Sequence, residues 1–208
     1  MYGFTQEIFD NANIAFAQRK PHPDFLEQLP NYPPRFGVTS DISEVVMELE
    51  DFFGQQLPED AIWLASNIYD PDSYILRWTR GVEAIKEFER WVYRGVAAEV
   101  DAGFWPQAWG AKPASGPERV AQLDDFWAIW PKLLPLTGHR ALPVSPAQAG
   151  NPVFSLMQTD IIYYGFSLVD WFQLDHSDRS SSHAKFHASK PSRHIPGWSD
   201  FAESWWRK

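Results

Sequence analysis

The polar residues best placed for chemistry lie in two turns in the second half of the chain. His139 and Arg140 follow a glycine between two short apolar runs, and the next such turn holds Gln158, Thr159 and Asp160. In an enzyme site, His139 would act as a base oriented by Asp160. A nucleophilic triad would lack its nucleophile, because the chain has no cysteine and no serine in a Gly-x-Ser-x-Gly turn. The structural alternative is that Arg140 pairs with Asp160 and the other polar side chains satisfy turn amides.

Two pairs of neighbouring carboxylates are further candidates for acid–base chemistry. They are Glu59–Asp60 and Asp124–Asp125. A glycosidase holds its two carboxyl groups roughly 5–10 Å apart across a cleft, whereas neighbours on a helix point in different directions. We therefore predict solvated helix faces and first-turn charges at both pairs, with no catalytic role.

The sequence predicts neither a metal site nor a nucleotide site. His183 and His187 stand four residues apart, the spacing at which zinc enzymes present two imidazoles on one helix face. No glutamate follows His183 and the segment is rich in serine, so both histidines are predicted to be incidental, since a metal site needs firmly held ligands. The 12 glycines form none of the loops that cradle phosphates. We expect no cofactor.

The composition disfavours several classes of partner. Lys and Arg total 18 against 27 Asp and Glu, a net charge of −9, and such a surface repels nucleic acid and anionic membranes. A cationic protein would be attracted instead. The absence of cysteine excludes disulfides and is typical of a reducing compartment. Because no signal segment and no apolar run of roughly 18 residues is visible, we expect a cytoplasmic protein.

Aromatic residues make up 16% of the chain, with 11 Trp, and are candidates for both the core and a binding surface. Trp105 and Trp109 lie in a Pro- and Gly-containing loop that the two indoles are predicted to pin. Tyr163 and Tyr164 end a predicted strand. Most rings are expected in the core, but these four are predicted to lie near a recognition surface, where aromatic residues are enriched.

The order of apolar patterns predicts a single α+β domain. Residues 1–40 contain many prolines and are predicted to form an irregular arm, 41–175 the core, 176–194 a mobile loop, and 195–208 a segment that docks back on the core. Helices are predicted to begin at Asp41, Leu57, Ser115 and Ser167. A strand is predicted at 74–78 and a helical or mixed element at 82–92. Short runs at 133–136, 141–144, 153–157 and 161–164 predict a mixed or antiparallel sheet flanked by helices.

Two runs of sequence carry a family resemblance. They are GHRALP at 138–143 and AGNPVFSLMQTDIIYYG at 149–165. Both resemble a bacterial group in the SUKH superfamily, the Smi/Knr-like proteins. FWPQAWGAKP at 104–113 is similar to the Trp-Gly-x-Arg-Pro element of that group, with Lys112 in place of arginine. A Leu-Pro element at 57–58 and a closing helix at 167–172 extend the resemblance over residues 57–172.

The resemblance implies an α+β fold with a central sheet flanked by helices, and a binding role. Many bacterial members of the superfamily are regarded as immunity proteins that neutralise toxins, and fungal relatives are linked to cell-wall synthesis and signalling. The branch that carries the second run supplies no activity to carry over, and fold transfers between relatives better than function does.

Three functions are compatible with the sequence. The first, which we expect, is a non-enzymatic protein-binding module whose acidic surface and aromatic residues engage a partner, with an immunity-type inhibitor of a cationic toxin as its most specific form. The second is a carbohydrate or other small-ligand module in which Trp105 and Trp109 stack on sugar faces. The third is a hydrolase that uses His139 and Asp160, which requires those side chains within a hydrogen bond or one bridging water.

Overall fold

The computed structural model describes residues 2–19, 21–29, 31–176, 191 and 193–204. Within these residues the chain forms eight α-helices and two antiparallel sheets, so the α+β class is confirmed. The helices are α1 (Gln6–Gln18), α2 (Pro23–Gln28), α3 (Ser43–Phe53), α4 (Glu59–Ser66), α5 (Val82–Ala102), α6 (Gly116–Ile129), α7 (Leu168–His176) and α8 (Trp198–Ser204). The strands are β1 (Arg35–Phe36), β2 (Ile68–Tyr69), β3 (Leu133–Pro135), β4 (Arg140–Pro143), β5 (Val153–Met157) and β6 (Asp160–Gly165). None of the described helices is long and apolar enough to cross a bilayer.

The larger sheet is an antiparallel meander in which each strand pairs with the next along the chain, in the order β3-β4-β5-β6. The four predicted strands are therefore confirmed, with ends that differ by no more than one residue. The smaller sheet pairs β1 with β2. In a meander, alternate turns lie at the same end of the sheet, so the β3–β4 and β5–β6 turns share one end.

The register of the meander gives the sheet two different faces. Arg140 pairs with Ser155, and Ser155 pairs with Ile162, so these three side chains share one face. Ile162 is exposed there. The opposite face, which carries Phe154 and Tyr163, is buried in an apolar cluster formed with α5, α6 and α8. A second apolar cluster joins α1, α3, α4 and α7 to the remaining buried side chains of the sheet.

The prediction that residues 1–40 form an irregular arm is wrong for residues 6–18 and 23–28, which form α1 and α2. The α1 helix begins after Thr5, whose side chain accepts a hydrogen bond from the Ile8 N–H at 3.3 Å. Its buried side chains include Phe9 and Phe16, which lie in the second apolar cluster, the one that joins α1, α3, α4 and α7. The prolines of this segment begin only at Pro21, after α1 has ended, so they punctuate the second half of the segment and leave the first half free to form a helix.

The strand predicted at 74–78 is also absent from the structure. Asp70 Oδ2 accepts hydrogen bonds from the backbone N–H groups of Ile75 (2.7 Å) and Leu76 (3.4 Å). These donors are therefore engaged by a side chain and not by a neighbouring strand. The chain instead turns into a short 3-10 helix at Arg77–Arg80, which leads directly into α5. The mixed element predicted next to it is one continuous helix of 21 residues.

Several predicted helix ends are confirmed. Ser115 and Glu118 form a reciprocal capping box at the start of α6. Gly54 ends α3 in the left-handed conformation with φ of 65°. Ser167 lies immediately before α7, and its side chain accepts a hydrogen bond from the backbone N–H of Asp170, in the first turn of that helix, at 3.2 Å.

The predicted docking of the C-terminal segment is confirmed for the residues that are described. Trp198 and Phe201 of α8 are buried in the first apolar cluster, the one formed with α5 and α6, and Trp198 Nε1 donates to the Pro131 carbonyl oxygen at 2.7 Å. His176, the first residue of the predicted mobile loop, is instead a buried residue of α7. Residues 177–190 and 192 of that loop, including His183 and His187, lie outside the described residues.

Gly197 gives a direct test of this docking. It has φ of 82°, and a Cβ there would lie 2.4 Å from the Trp130 ring, so Gly197→Ala must displace the indole or α8. We expect a loss of about 1–3 kcal/mol from overpacking, added to about 1–2 kcal/mol for an L-residue at positive φ. Gly110→Ala is the matched control, because Gly110 has the same φ and nothing within 4 Å of its Cβ position. Equal free energies of unfolding in urea for the two variants would contradict the close contact.

Candidate functional site

The two polar turns predicted from the sequence lie at the same end of the sheet. The backbone N–H of Leu156 donates to the His139 carbonyl oxygen at 2.9 Å, next to the β3–β4 turn. Gln158 adopts a positive φ of 54° in the β5–β6 turn, and Thr159 beside it is buried. Asp160, the first residue of β6, is exposed. The sequence therefore identified residues that the fold brings together.

The α5 helix closes one side of this end of the sheet. It approaches the β5–β6 turn at Gly95, where a Cβ would lie 3.2 Å from the Gln158 Cα. A larger residue would hold the helix and the turn further apart. The absence of a side chain at Gly95 therefore allows α5 to lie directly against the turn.

A groove of about 320 Å³ lies where α5 meets the two turns. We call it the turn groove, and its lining residues are Arg77, Glu87, Phe88, Trp91, Gly138, His139 and Met157. Trp91 and Met157 are large apolar side chains that remain 45% and 46% exposed. Trp91 is held on the long α5 helix, with its ring 5.8 Å from the buried Phe88 ring. The groove thus presents a positioned indole opposite a flexible thioether.

Arg140 connects the turn groove to α7. Its guanidinium carbon lies 4.3 Å from the centroid of the Tyr164 ring, a cation–π geometry. Its Nη1 lies 3.1 Å from His139 Nε2. The Tyr164 hydroxyl donates to Asp175 Oδ1 at 2.7 Å, and Asp175 Oδ2 accepts from Trp171 Nε1 at 2.9 Å. A continuous set of contacts therefore runs from His139 to the core of α7.

His139 lies beside a guanidinium group. Burial and the neighbouring Arg140 guanidinium lower the pKa of His139 below its usual value. Its ring contacts that guanidinium, and no hydrogen bond between His139 and Asp160 is found among the described contacts. Arg140 likewise forms no ion pair with Asp160 within the described part of the chain, contrary to the structural alternative. The hydrolase hypothesis thus has no direct hydrogen bond between these two groups in the described geometry, although the charge of Asp160 does act on His139, against the lowering of its pKa.

The predicted aromatic residues do not all reach the surface. Trp109 is only 8% exposed, and its ring is perpendicular to that of Trp105 at 5.1 Å. Trp105 is half-buried and its Nε1 donates to the Gly110 carbonyl oxygen at 3.1 Å, which confirms that the loop is pinned by its indoles. Tyr163 is buried, with its hydroxyl donating to Glu203. Trp109 and Tyr163 therefore pack in the core rather than lining a binding surface. The coplanar exposed tryptophans needed for stacking on sugars are not formed by this pair.

The predicted carboxylate pairs behave differently from each other. Asp124 and Asp125 are exposed, as predicted, and the Tyr93 hydroxyl donates to Asp124, which raises the pKa of Tyr93 to about 12. Asp60 is buried, so the prediction of a solvated face is wrong for it. Its Oδ2 accepts from the Gly150 N–H at 2.9 Å, and burial raises the pKa of its carboxyl group. Asp60 therefore holds the loop before β5 against α4.

The sequence did not identify Trp91, Met157 or Arg77 as site residues. A signal for Trp91 was present, because it falls beside the apolar stripe of α5 and not on it. A second, larger cleft of about 530 Å³ beside α3 was also missed, and its lining contains hydroxyl and carboxylate groups such as Ser73, Thr79 and Asp70, without a tryptophan. Across the described residues, no group of three or more His, Asp or Glu side chains could hold a metal ion.

Comparison with known proteins gives no relative from which the role of the turn groove could be taken. No family model matches the chain, and no curated protein or solved structure matches it. The side chains of the groove itself are therefore the basis for a functional proposal.

Proposed function

We propose that the protein is a non-enzymatic protein-binding module and that the turn groove is its binding surface. The observation that carries the proposal is the paired exposure of Trp91 and Met157 across one groove. Tryptophan and methionine are enriched in protein interfaces relative to other surfaces, and truncation of an interfacial tryptophan is among the most costly changes to binding. Burial of these two side chains by a partner would remove apolar surface from water.

The way the groove is built supports a partner that covers it from outside. Trp91 is held by a helix whose neighbouring stripe, including Phe88 and Val92, is buried, so little of its freedom would be lost on binding. Met157 lies at the end of β5 and is the adaptable member of the pair. Both side chains remain nearly half exposed, so the groove is open to solvent. A pocket for a small molecule is instead concave and buries most of the ligand surface.

The resemblance to the SUKH superfamily supports the same proposal, because many of its bacterial members are regarded as immunity proteins. Neutralisation of a toxin is the most specific form of the proposed function, and protection of cells that express the bound partner would test it. A location in the cytoplasm, which the cysteine-free composition favours, belongs to the same proposal. The net charge of −9 favours a protein over nucleic acid or an anionic membrane as the partner.

Photocrosslinking in cells of the source organism would test the groove as a binding surface. A photoreactive residue in place of the groove residue Glu87 is expected to capture one specific protein, and the same residue in place of Met47 on α3 is not. With the captured protein as the titrant, Trp91→Ala is expected to weaken binding at least about thirtyfold, the factor that corresponds to an interfacial hot spot of about 2 kcal/mol. Isothermal titration calorimetry measures the change.

Ile129→Ala and Met47→Ala are the controls for a general loss of apolar surface. Ile129 on α6 is 79% exposed and Met47 is 64% exposed, and neither lines the turn groove. Both variants are expected to bind as the wild type does. The proposal would be contradicted if Trp91→Ala bound the captured protein as tightly as the wild type while Ile129→Ala bound it more weakly. The binding surface would then lie near Ile129 and not at the turn groove.

A further inference from the structure

The charges around the turn groove are balanced, unlike those of the whole chain. The chain has a net charge of −9. Arg77 and Glu87 line the groove, and Arg94 lies three residues after Trp91 on the exposed face of α5. Arg140 and Asp160 complete the set at the two turns. Asp175, which accepts from the Tyr164 hydroxyl beside Arg140, adds a third carboxylate, so three guanidinium groups are balanced by three carboxylates at this one end of an acidic protein.

Two of the arginines approach the same point, the β3–β4 turn. Arg77 Nη1 donates to the Gly138 carbonyl oxygen at 3.3 Å, and a Cβ on Gly138 would lie 3.7 Å from Arg140 Nη1. Gly138 itself is exposed. Within the described ranges, neither Arg77 nor Arg140 has a carboxylate oxygen within 4 Å. Two half-buried cations thus meet at an exposed turn without an anionic partner.

Arg140 is held in place by groups that leave its positive charge uncompensated. It stacks on Tyr164 and lies against His139, and its Nε is inaccessible and has no hydrogen-bond partner within the described part of the chain. The lowered pKa of His139 keeps the imidazole uncharged near neutral pH, so it adds no second positive charge at that position. A fixed guanidinium loses little side-chain entropy when it binds a carboxylate, and such charge-assisted hydrogen bonds are stronger than neutral ones.

We propose that the partner presents the carboxylate of an aspartate or glutamate to Arg77 and Arg140, beside an apolar side chain that enters the turn groove between Trp91 and Met157. This inference rests on the proposed binding function. It replaces the cationic contact expected from the overall charge with an acidic one, because the local charge faces the partner at contact. The exposed Glu87 on α5 favours an orientation in which the partner's carboxylate points away from that helix.

A library of random twelve-residue peptides, displayed on phage and selected on the full chain, tests the inference without a known partner. Selected peptides are expected to contain Asp or Glu next to an aromatic or aliphatic residue and to lose binding to the Trp91→Ala variant. Replacing the peptide Glu by Gln is expected to weaken binding about tenfold by calorimetry. Arg140→Gln and Arg77→Gln are each expected to weaken binding of the Glu-containing peptide by a similar factor. Binding of the Gln-containing peptide is expected to be unchanged, which is the outcome of a double-mutant cycle for two groups in contact.

Arg35→Gln is the matched control, because Arg35 stacks on Tyr69 at 4.4 Å as Arg140 stacks on Tyr164 at 4.3 Å. It lies in β1 and does not line the groove, so it is expected to leave peptide affinity unchanged. If circular dichroism shows that Arg140→Gln does not fold, the peptide affinity of Arg77→Gln alone still tests the inference. Peptides that require Trp91 but lack acidic residues would overturn the inference and leave the proposed function standing. If no selected peptide required Trp91, the proposed function itself would be rejected.

Discussion

Lowering the pH from about 7 to about 4.5 is expected to remove about 3 kcal/mol more stability from the wild-type protein than from a His176→Leu variant. His176 is buried in α7, and neither ring nitrogen has a hydrogen-bond partner among the residues that the structure describes. Its ring is surrounded by four aromatic rings at centroid distances of 5.0–6.0 Å, those of Phe16, Phe36, Trp171 and Phe172. Burial, with a smaller contribution from Arg19, lowers the pKa of His176 to about 3.

The direction of the effect follows from the two pKa values of His176. In the unfolded chain the imidazole has its ordinary pKa of 6.5, and in the folded chain a pKa of about 3. Between these values the unfolded state binds more protons, so the free energy of unfolding falls as the pH falls. The contribution of neutral His176 to the free energy of unfolding is fully present above its unfolded-state pKa of 6.5 and is lost as the pH falls toward about 3. At about pH 4.5 the loss corresponds to about two pH units at about 1.36 kcal/mol each.

Urea unfolding of both proteins at the two pH values measures the difference. Leucine has a volume similar to that of histidine and removes the unpaired nitrogens, so His176→Leu is expected to be near-neutral in stability at pH 7. His22→Gln is the control, because the His22 side chain is 75% exposed, and it is expected to retain the full acid sensitivity of the wild type. Equal losses for wild type and His176→Leu would show that another group causes the acid sensitivity.

Replacement of Arg119 by methionine is expected to lower the free energy of unfolding by about 3–5 kcal/mol, because several hydrogen bonds to a charged group are lost, at about 1.5–3 kcal/mol each. Arg119 lies in α6 and is buried. Its guanidinium donates to the carbonyl oxygens of Val100 (2.8 Å), Asp101 (2.6 Å), Pro113 (3.2 Å) and Ala114 (3.1 Å). Two of these carbonyls belong to the last turn of α5, where a cation also opposes the helix dipole.

Thermal unfolding followed by circular dichroism measures the effect of Arg119→Met. For a chain of this length, about 3–5 kcal/mol corresponds to a fall in Tm of about 10 °C. Arg119→Lys is expected to recover little of the loss, because one ammonium group cannot reach all four carbonyls. Arg90→Met, at an exposed position of α5, is the control for loss of a positive charge. A Tm for Arg119→Met that matches the control would show that these buried carbonyls do not depend on the guanidinium.

The parts of the fold that the sequence predicted are those determined locally. The capping box of Ser115 and Glu118 and the left-handed Gly54 depend on neighbours in the chain, and the four strands of the meander are separated by turn residues. The helix α1 was missed, because its apolar stripe precedes a proline-rich segment and was grouped with it. The strand predicted at 74–78 was wrong for a different reason, since Asp70 takes up the backbone donors from outside the segment.

The candidate site could be predicted only in part. His139, Arg140 and Asp160 were identified from their place in turns, and the meander brings those turns to one end of the sheet. Trp91 was not identified, because its exposure depends on α5 continuing through residue 102 and packing on the sheet with its other face. Trp109 was assigned to a surface loop, but that loop folds its ring against the C-terminal helix, which is far away in the sequence. Which ring faces solvent depends on contacts between distant segments.

The close approach at Gly95 means that the width of the turn groove is controlled by a residue that does not line it. The spacing between α5 and the β5–β6 turn is set by the contact with Gln158, and a single added methyl group would push the two apart by a few tenths of an ångström. Trp91 and Met157 would then move relative to each other without any change in their chemistry. A substitution at position 95 would therefore change the size of the partner side chain that the turn groove accepts, while every residue that lines the groove stays the same.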